Sequence, residues 1–144
     1  MKSDSSSRSG LLLMEIILAI LFFSLISALC LQVFVKAHTL SQDTRKLDAA
    51  VRQADSVASV LLAVPEPVKK LQEIYPDSSM DGATGEIYFN QDFLPCGPRE
   101  YSYRLDIVPA DAGERTTSYS VTVYDHTAAE IYHVDVTAYR QYIP

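Results

Sequence analysis

The sequence predicts an α+β fold, a long N-terminal helix packed on a small antiparallel sheet of three to four strands. Three observations carry that expectation. Residues 11–35 are apolar except for Glu15, Ser24, Ser27 and Gln32, with neither Gly nor Pro to stop a helix. Beyond them a polar stretch keeps apolar residues at helical spacing up to Pro65, and from Glu86 onward the apolar period falls to two.

At about 1.5 Å per residue the apolar run extends roughly 37 Å, enough to cross a hydrocarbon core of about 30 Å. It reads as a membrane-spanning helix. The carboxylate of Glu15 sits near its entrance, where insertion costs less than the about 2.5–3.5 kcal/mol of an unpaired acid at mid-bilayer. Ahead of Gly10 lies a short polar segment carrying Lys2 and Arg8.

A short basic leader, Gly10, an apolar residue, three further residues, Glu15 and then a long apolar helix form an order that resembles the prepilin signal of type IV pilins and type II secretion pseudopilins. The resemblance implies cleavage by a prepilin peptidase between Gly10 and Leu11, and methylation of the new amino terminus at Leu11. It also implies that Glu15 pairs with the amino terminus of a neighbouring subunit, because a buried carboxylate needs a cation. The implied partners are other pilin or pseudopilin subunits, the peptidase, membrane lipid and, indirectly, an assembly platform and its ATPase. The implied location is the cytoplasmic membrane, crossed once, with the C-terminal domain outside the cytoplasm and a cell-surface filament after assembly.

Leu12-Leu13-Met14 departs from the Thr-Leu-Leu or Thr-Leu-Ile usual in that family, and Gln32 stands where major subunits commonly carry a helix-kinking proline. The absence of that proline points to a minor subunit. Other readings of the same run stay open: a secretory signal cut after Ala37, a lipoprotein signal using Cys30, or an uncleaved anchor holding a binding module that never polymerises. None of these accounts for Glu15.

The chain of 144 residues carries a formal charge of −6, and losing Lys2, Arg8 and Asp4 with the leader takes this to −7. Such an acidic chain lacks the clustered Lys and Arg that neutralise phosphates, so no direct nucleic-acid partner is expected. Two cysteines are too few for a cysteine-based zinc site, and Cys30 within the apolar run cannot easily meet Cys96, so no intrachain disulfide is expected.

In chain order, residues 1–10 are the leader, 11–35 the membrane and filament-core helix, 36–64 its amphipathic continuation, 65–85 a connecting loop and 86–144 the sheet domain. Leu40, Leu47, Val51, Ala54, Ala58 and Leu61 place one apolar face on the continuing helix, which Pro65 and Pro67 end. Residues 68–74 allow one short helical turn, and Asp, Ser, Gly and Thr make 77–85 a loop. Strands are expected over residues 86–89, 101–108, 119–124 and 131–139, separated by a loop at 90–99 and turns at 109–115 and 125–129. Tyr101, Tyr103, Leu105 and Ile107 share one face, as do Tyr119, Val121 and Val123, and Tyr132, Val134, Val136 and Ala138. The face of the long helix supplies their apolar cover.

Two polar groupings carry weak site signals. Asp125, His126, His133 and Asp135 offer metal-ligand types, but His126 falls in a turn and no further His or Cys stands near. Asp77, Asp81, Glu86 and Asp92 fit no calcium-loop spacing. Neither a phosphate-cradling glycine loop nor a nucleophile elbow is present, so the chain is read as a non-enzyme with no catalytic residue, no metal ligand and no cofactor. Tyr139 and Tyr142, near the carboxyl end, are candidate partner contacts.

Overall fold

The computed structural model describes residues 3–111 and 113–139, with side chains from residue 5 onward. Lys2 of the leader and Tyr142 lie outside the described residues. The fold is α+β, with elements in the order α1 (Ser3–Ala63), α2 (Pro67–Ile74), β1 (Ser79–Asp81), β2 (Thr84–Phe89), β3 (Tyr103–Ala110), β4 (Thr116–Asp125) and β5 (Glu130–Tyr139). The chain forms two compact units, the first ending at Thr44 and the second beginning at Arg45.

In the first unit α1 is already helical at Ser3, earlier than the start at Leu11 expected from the apolar run. Nothing in residues 3–10 breaks a helix, since a single Gly costs only about 1 kcal/mol in a helix interior. The C-terminal end of α1 falls at Ala63, two residues before Pro65, as proline chemistry requires.

In the second unit the last turns of α1 bury Ala50, Ala54, Val57, Ala58 and Leu61 against the sheet. Leu40 and Leu47, expected on that buried face, are instead 68% and 44% exposed, and the packed stripe begins at Ala50. Ala50 and Ala54 are fully buried in the core cluster, and Val57 joins them on the next turn. Helix α2 begins with Pro67 in its first turn, where the missing N–H is harmless, and buries Pro67 and Leu71.

The sheet is antiparallel and has five strands in simple sequence order, β1-β2-β3-β4-β5, rather than the three or four expected. The extra strand lies in the segment read as a loop. Asp81 pairs with Thr84 across Gly82-Ala83, and Gly82 sits at φ +60°. A positive-φ glycine opening a two-residue turn is hairpin chemistry of the II′ kind. Gly85 in β2 leaves the space that the Met80 side chain of β1 occupies.

Strand β3 likewise runs on through Pro109 to Ala110, where a turn was expected. Its pairing with β2 stops at Ile107 while its pairing with β4 continues to Ala110, so Pro109 has one open side for its missing donor.

Register sets two faces. On the inner face Ile87, Leu105, Val123 and Tyr132 form one cross-strand row, and Gly85, Ile107, Val121 and Val134 the next. Leu105, Val121 and Val123 are fully buried and Ile87 and Ile107 nearly so, whereas Tyr132, Val134, Val136 and Ala138 of β5 are only half-buried.

The loop between β2 and β3 closes one end of this core. Phe93 turns into it at φ 57° and is buried, stacked on Tyr103 with ring centroids 4.0 Å apart and planes at 17°. Asn90 holds that turn, its Oδ1 accepting from the backbone N–H of Asp92 at 2.9 Å and of Leu94 at 3.0 Å. Gln53 of α1 donates to the Phe93 carbonyl at 3.3 Å, tying the loop to the helix.

Candidate functional site

Helix α1 presents the first candidate site. It is the one helix among the described residues that is long and apolar enough to cross a membrane, and its apolar window is exposed among them. Eighteen large apolar side chains between Leu11 and Val35 are exposed, from 49% at Ile16 to 74% at Phe23. Leaving such a side chain in water rather than burying it forgoes about 1.5–3 kcal/mol each. A surface of this kind is suited to lipid or to packing against other helices.

Gly10, Leu11 and Glu15 fall on this helix, with Leu11 68% exposed. A side chain added at Gly10 would meet nothing within 4 Å, so the fold itself does not require glycine there. Glu15 is exposed, and residues 11–19 contain no Lys, Arg or His within helical reach of its carboxylate. Its only local neighbours are apolar. Cys30 is an exposed free thiol on the same helix.

The second candidate lies on the sheet face turned away from α1, and sequence reading singled out only parts of it. Glu86, Asp106, Thr122 and His133 stand in one cross-strand row, with Tyr88, Arg104 and Tyr124 in the adjacent row. Arg104 and Asp106 pair along β3, with Nε 2.7 Å from Oδ1 and Nη2 donating to Oδ2 at 3.0 Å. The Arg104 guanidinium also lies 5.4 Å from the centre of the Tyr124 ring. Partial burial raises the Asp106 carboxyl above its ordinary value and the Glu86 charge adds to this, while Arg104 opposes both.

Tyr88 is buried on this face beside Tyr101, with centroids 5.2 Å apart, and donates to Glu86 Oε2 at 2.5 Å. Desolvation, then that hydrogen bond and the Glu86 charge, push its phenol from 10.0 up to about 12. A raised pKa means the fold favours the protonated phenol. The stabilisation is complete below pH about 10 and is lost as pH rises towards about 12. Absorbance titration of Glu86→Gln should therefore find one tyrosine ionising earlier than in the parent protein; an unchanged titration curve would remove Glu86 as a cause.

The polar residues noted at the β4–β5 turn divide by role. Asp125 Oδ1 accepts from the Thr127 hydroxyl at 2.6 Å, the Thr127 N–H at 2.8 Å and the Ala129 N–H at 3.1 Å. These bonds, the Thr127 hydroxyl first, hold its carboxyl below the usual range and make it a turn-former. His133 belongs to the sheet face, with Nδ1 2.8 Å from Thr122 Oγ1 and Nε2 3.3 Å from Asp135.

Among the described residues no group of three or more His, Cys, Asp or Glu side chains is arranged to hold a metal. Asp77, Asp81, Glu86 and Asp92 do not converge as such a group. Cys96 is a half-buried free thiol. Burial, then the charges of Asp77 and Glu100, raise its pKa, which keeps it in the less nucleophilic thiol form.

The described residues form an α+β fold with one helix long and apolar enough to cross a membrane. Comparison of the chain with family models, curated proteins and solved structures gives no match.

Proposed function

We propose that this chain is a minor pilin or pseudopilin, a structural subunit held in the membrane by α1 and assembled through that helix into a type IV pilus or type II secretion-like filament. Its chemistry is that of a substrate for processing. A prepilin peptidase cuts between Gly10 and Leu11, and the Leu11 amine is methylated.

One coincidence supports the reading above all. Gly10 and Glu15 bracket the start of an apolar helix exposed among the described residues, although no packing contact requires the glycine and no residue within helical reach neutralises the acid. A cleavage signal accounts for the glycine, and an incoming subunit's amino terminus accounts for the acid. In this reading the sheet faces outward from the filament.

The test is intact mass and amino-terminal sequencing of protein from its native membrane, with and without the processing peptidase. The expected chain begins at Leu11 and carries one added methyl, and Gly10→Trp yields the uncut precursor. A chain that keeps Met1, or begins at Cys30 or His38, overturns the reading, as does normal processing of the Gly10 variant.

A further inference from the structure

The two edges of the sheet are built differently. Strand β1 has three residues, too short to template much pairing, whereas β5 has ten and no strand beyond it among the described residues. Folded proteins guard long edges with proline, lysine, inward-pointing charge or a bulge that twists the edge away. Between Glu130 and Tyr139 there is no Pro, Lys or Arg, and the one bulge lies at Val123/Tyr124, before the regular pairing of Tyr132 to Tyr139 with β4. Every second residue of such an edge turns its N–H and C=O outward.

The side chains of β5 are also incompletely covered. Tyr132, Val134 and Val136 remain half-buried although Val123, Val121 and Tyr119, directly opposite them on β4, are buried, and Ala138 is half-buried opposite the half-buried Thr117. The other face carries His133 and Asp135, both exposed, with His133 fixed by Thr122 so that Nε2 lies towards Asp135.

We propose that β5 is a self-docking edge, pairing antiparallel with β5 of a second copy about a two-fold axis at Val134. In an antiparallel pair, directly opposed residues point to the same face. Centring the axis at Val134 sets His133 opposite Asp135 of the second copy, and Asp135 opposite His133. On the inner face it sets Val134 against Val134 and Tyr132 against Val136. Centring at Asp135 opposes two carboxylates, and centring at His133 opposes two imidazoles. Of the in-face registers, only the one centred at Val134 sets His133 against Asp135, and the charge pattern favours it. The inference rests on the sheet alone and is independent of the prepilin reading.

The test uses the full chain in detergent micelles with Cys30→Ser and Cys96→Ser, so that an introduced thiol is the only one. Val134→Cys in this background is expected to cross-link to a dimer under mild oxidation, while Asp81→Cys on β1 stays monomeric. Asp135→Lys, which opposes a cation to His133 of the second copy, should weaken association by several-fold to about tenfold. Combining His133→Asp with Asp135→His exchanges the two partners and should restore it. In the unmodified protein, β5 amides are expected to exchange slowly at high concentration and quickly on dilution, with β1 unchanged, which reads the same contact without substitution at Val134. Absence of concentration-dependent β5 protection overturns the proposal. So does a dimer that Asp135→Lys leaves intact, or one lost only when residues 11–35 are altered.

Discussion

Phe89→Ala is expected to cost about 3–5 kcal/mol, a large part of the about 5–15 kcal/mol that holds a typical domain together. Phe89 is fully buried at the end of β2, with its ring 6.0 Å from Tyr75 edge-on and 6.3 Å from Phe93. It therefore joins α2, the sheet and the β2–β3 loop in one cluster. Truncation leaves a cavity bounded by rigid aromatic rings, which cannot collapse as flexible side chains do. With no tryptophan and nine tyrosines in the chain, tyrosine fluorescence during denaturant unfolding in detergent reports on this unit. Val108→Ala on the outer part of β3, where Val108 is 50% exposed, should change stability by no more than about 0.5 kcal/mol. Equal effects at the two positions would mean that Phe89 does not anchor the core.

Phe93 illustrates why part of that core was not legible in the sequence. Its neighbours Asn90, Pro95, Gly97 and Pro98 spell a loop, and a loop it is. Loop chemistry gives no sign that one aromatic residue turns inward at positive φ to stack on Tyr103. The alternation of Tyr103, Leu105 and Ile107 and of Tyr119, Val121 and Val123 was legible because these residues fill the covered face and are buried. Tyr101, expected with them, instead precedes β3 and lies beside Tyr88, and Thr122 on the other face is buried as well. The β1–β2 hairpin was hidden for a different reason. Gly82, Gly85 and the surrounding Asp, Ser and Thr read as irregular chain, although Gly82-Ala83 also satisfies a two-residue turn.

Leu40 and Leu47 show the limit of helical periodicity. The repeat identifies a face but not where the sheet beneath it ends, so two leucines in register with the stripe remain exposed. On the outer sheet face, Arg104, Asp106, Glu86 and Tyr88 come from two strands. The ion pair and the phenol-to-carboxylate bond each join residues two apart on one strand, but the sequence does not give the register that sets those strands side by side in a row with Thr122 and His133. By contrast, Gly10 and Glu15 stand out in the sequence alone, because one helix carries both.

Glu15→Ala is expected to leave the protein in the membrane fraction and abolish its incorporation into filaments. The two halves of this result follow from opposite consequences of the same carboxylate. For insertion the acid is a burden, up to about 2.5–3.5 kcal/mol were it to lie unpaired at mid-bilayer, so alanine should insert at least as well. For assembly, under the filament reading, the acid meets a neighbouring subunit's amine in a low-dielectric helical core. Removing one member of a buried pair costs about 3–5 kcal/mol, because the other is left charged and uncompensated. At about 1.4 kcal/mol per factor of ten, that lowers incorporation per contact by a few hundredfold or more. Glu15→Asp keeps the charge on a shorter side chain and should fall between parent and alanine. The measurements are membrane fractionation and recovery of the chain in sheared filaments, made together on the same cells. A tethered binding module predicts unchanged function in Glu15→Ala, since nothing in its work uses the acid. Retention of Glu15→Ala in filaments would therefore remove the pairing role, while its loss from membranes would show that Glu15 serves insertion instead.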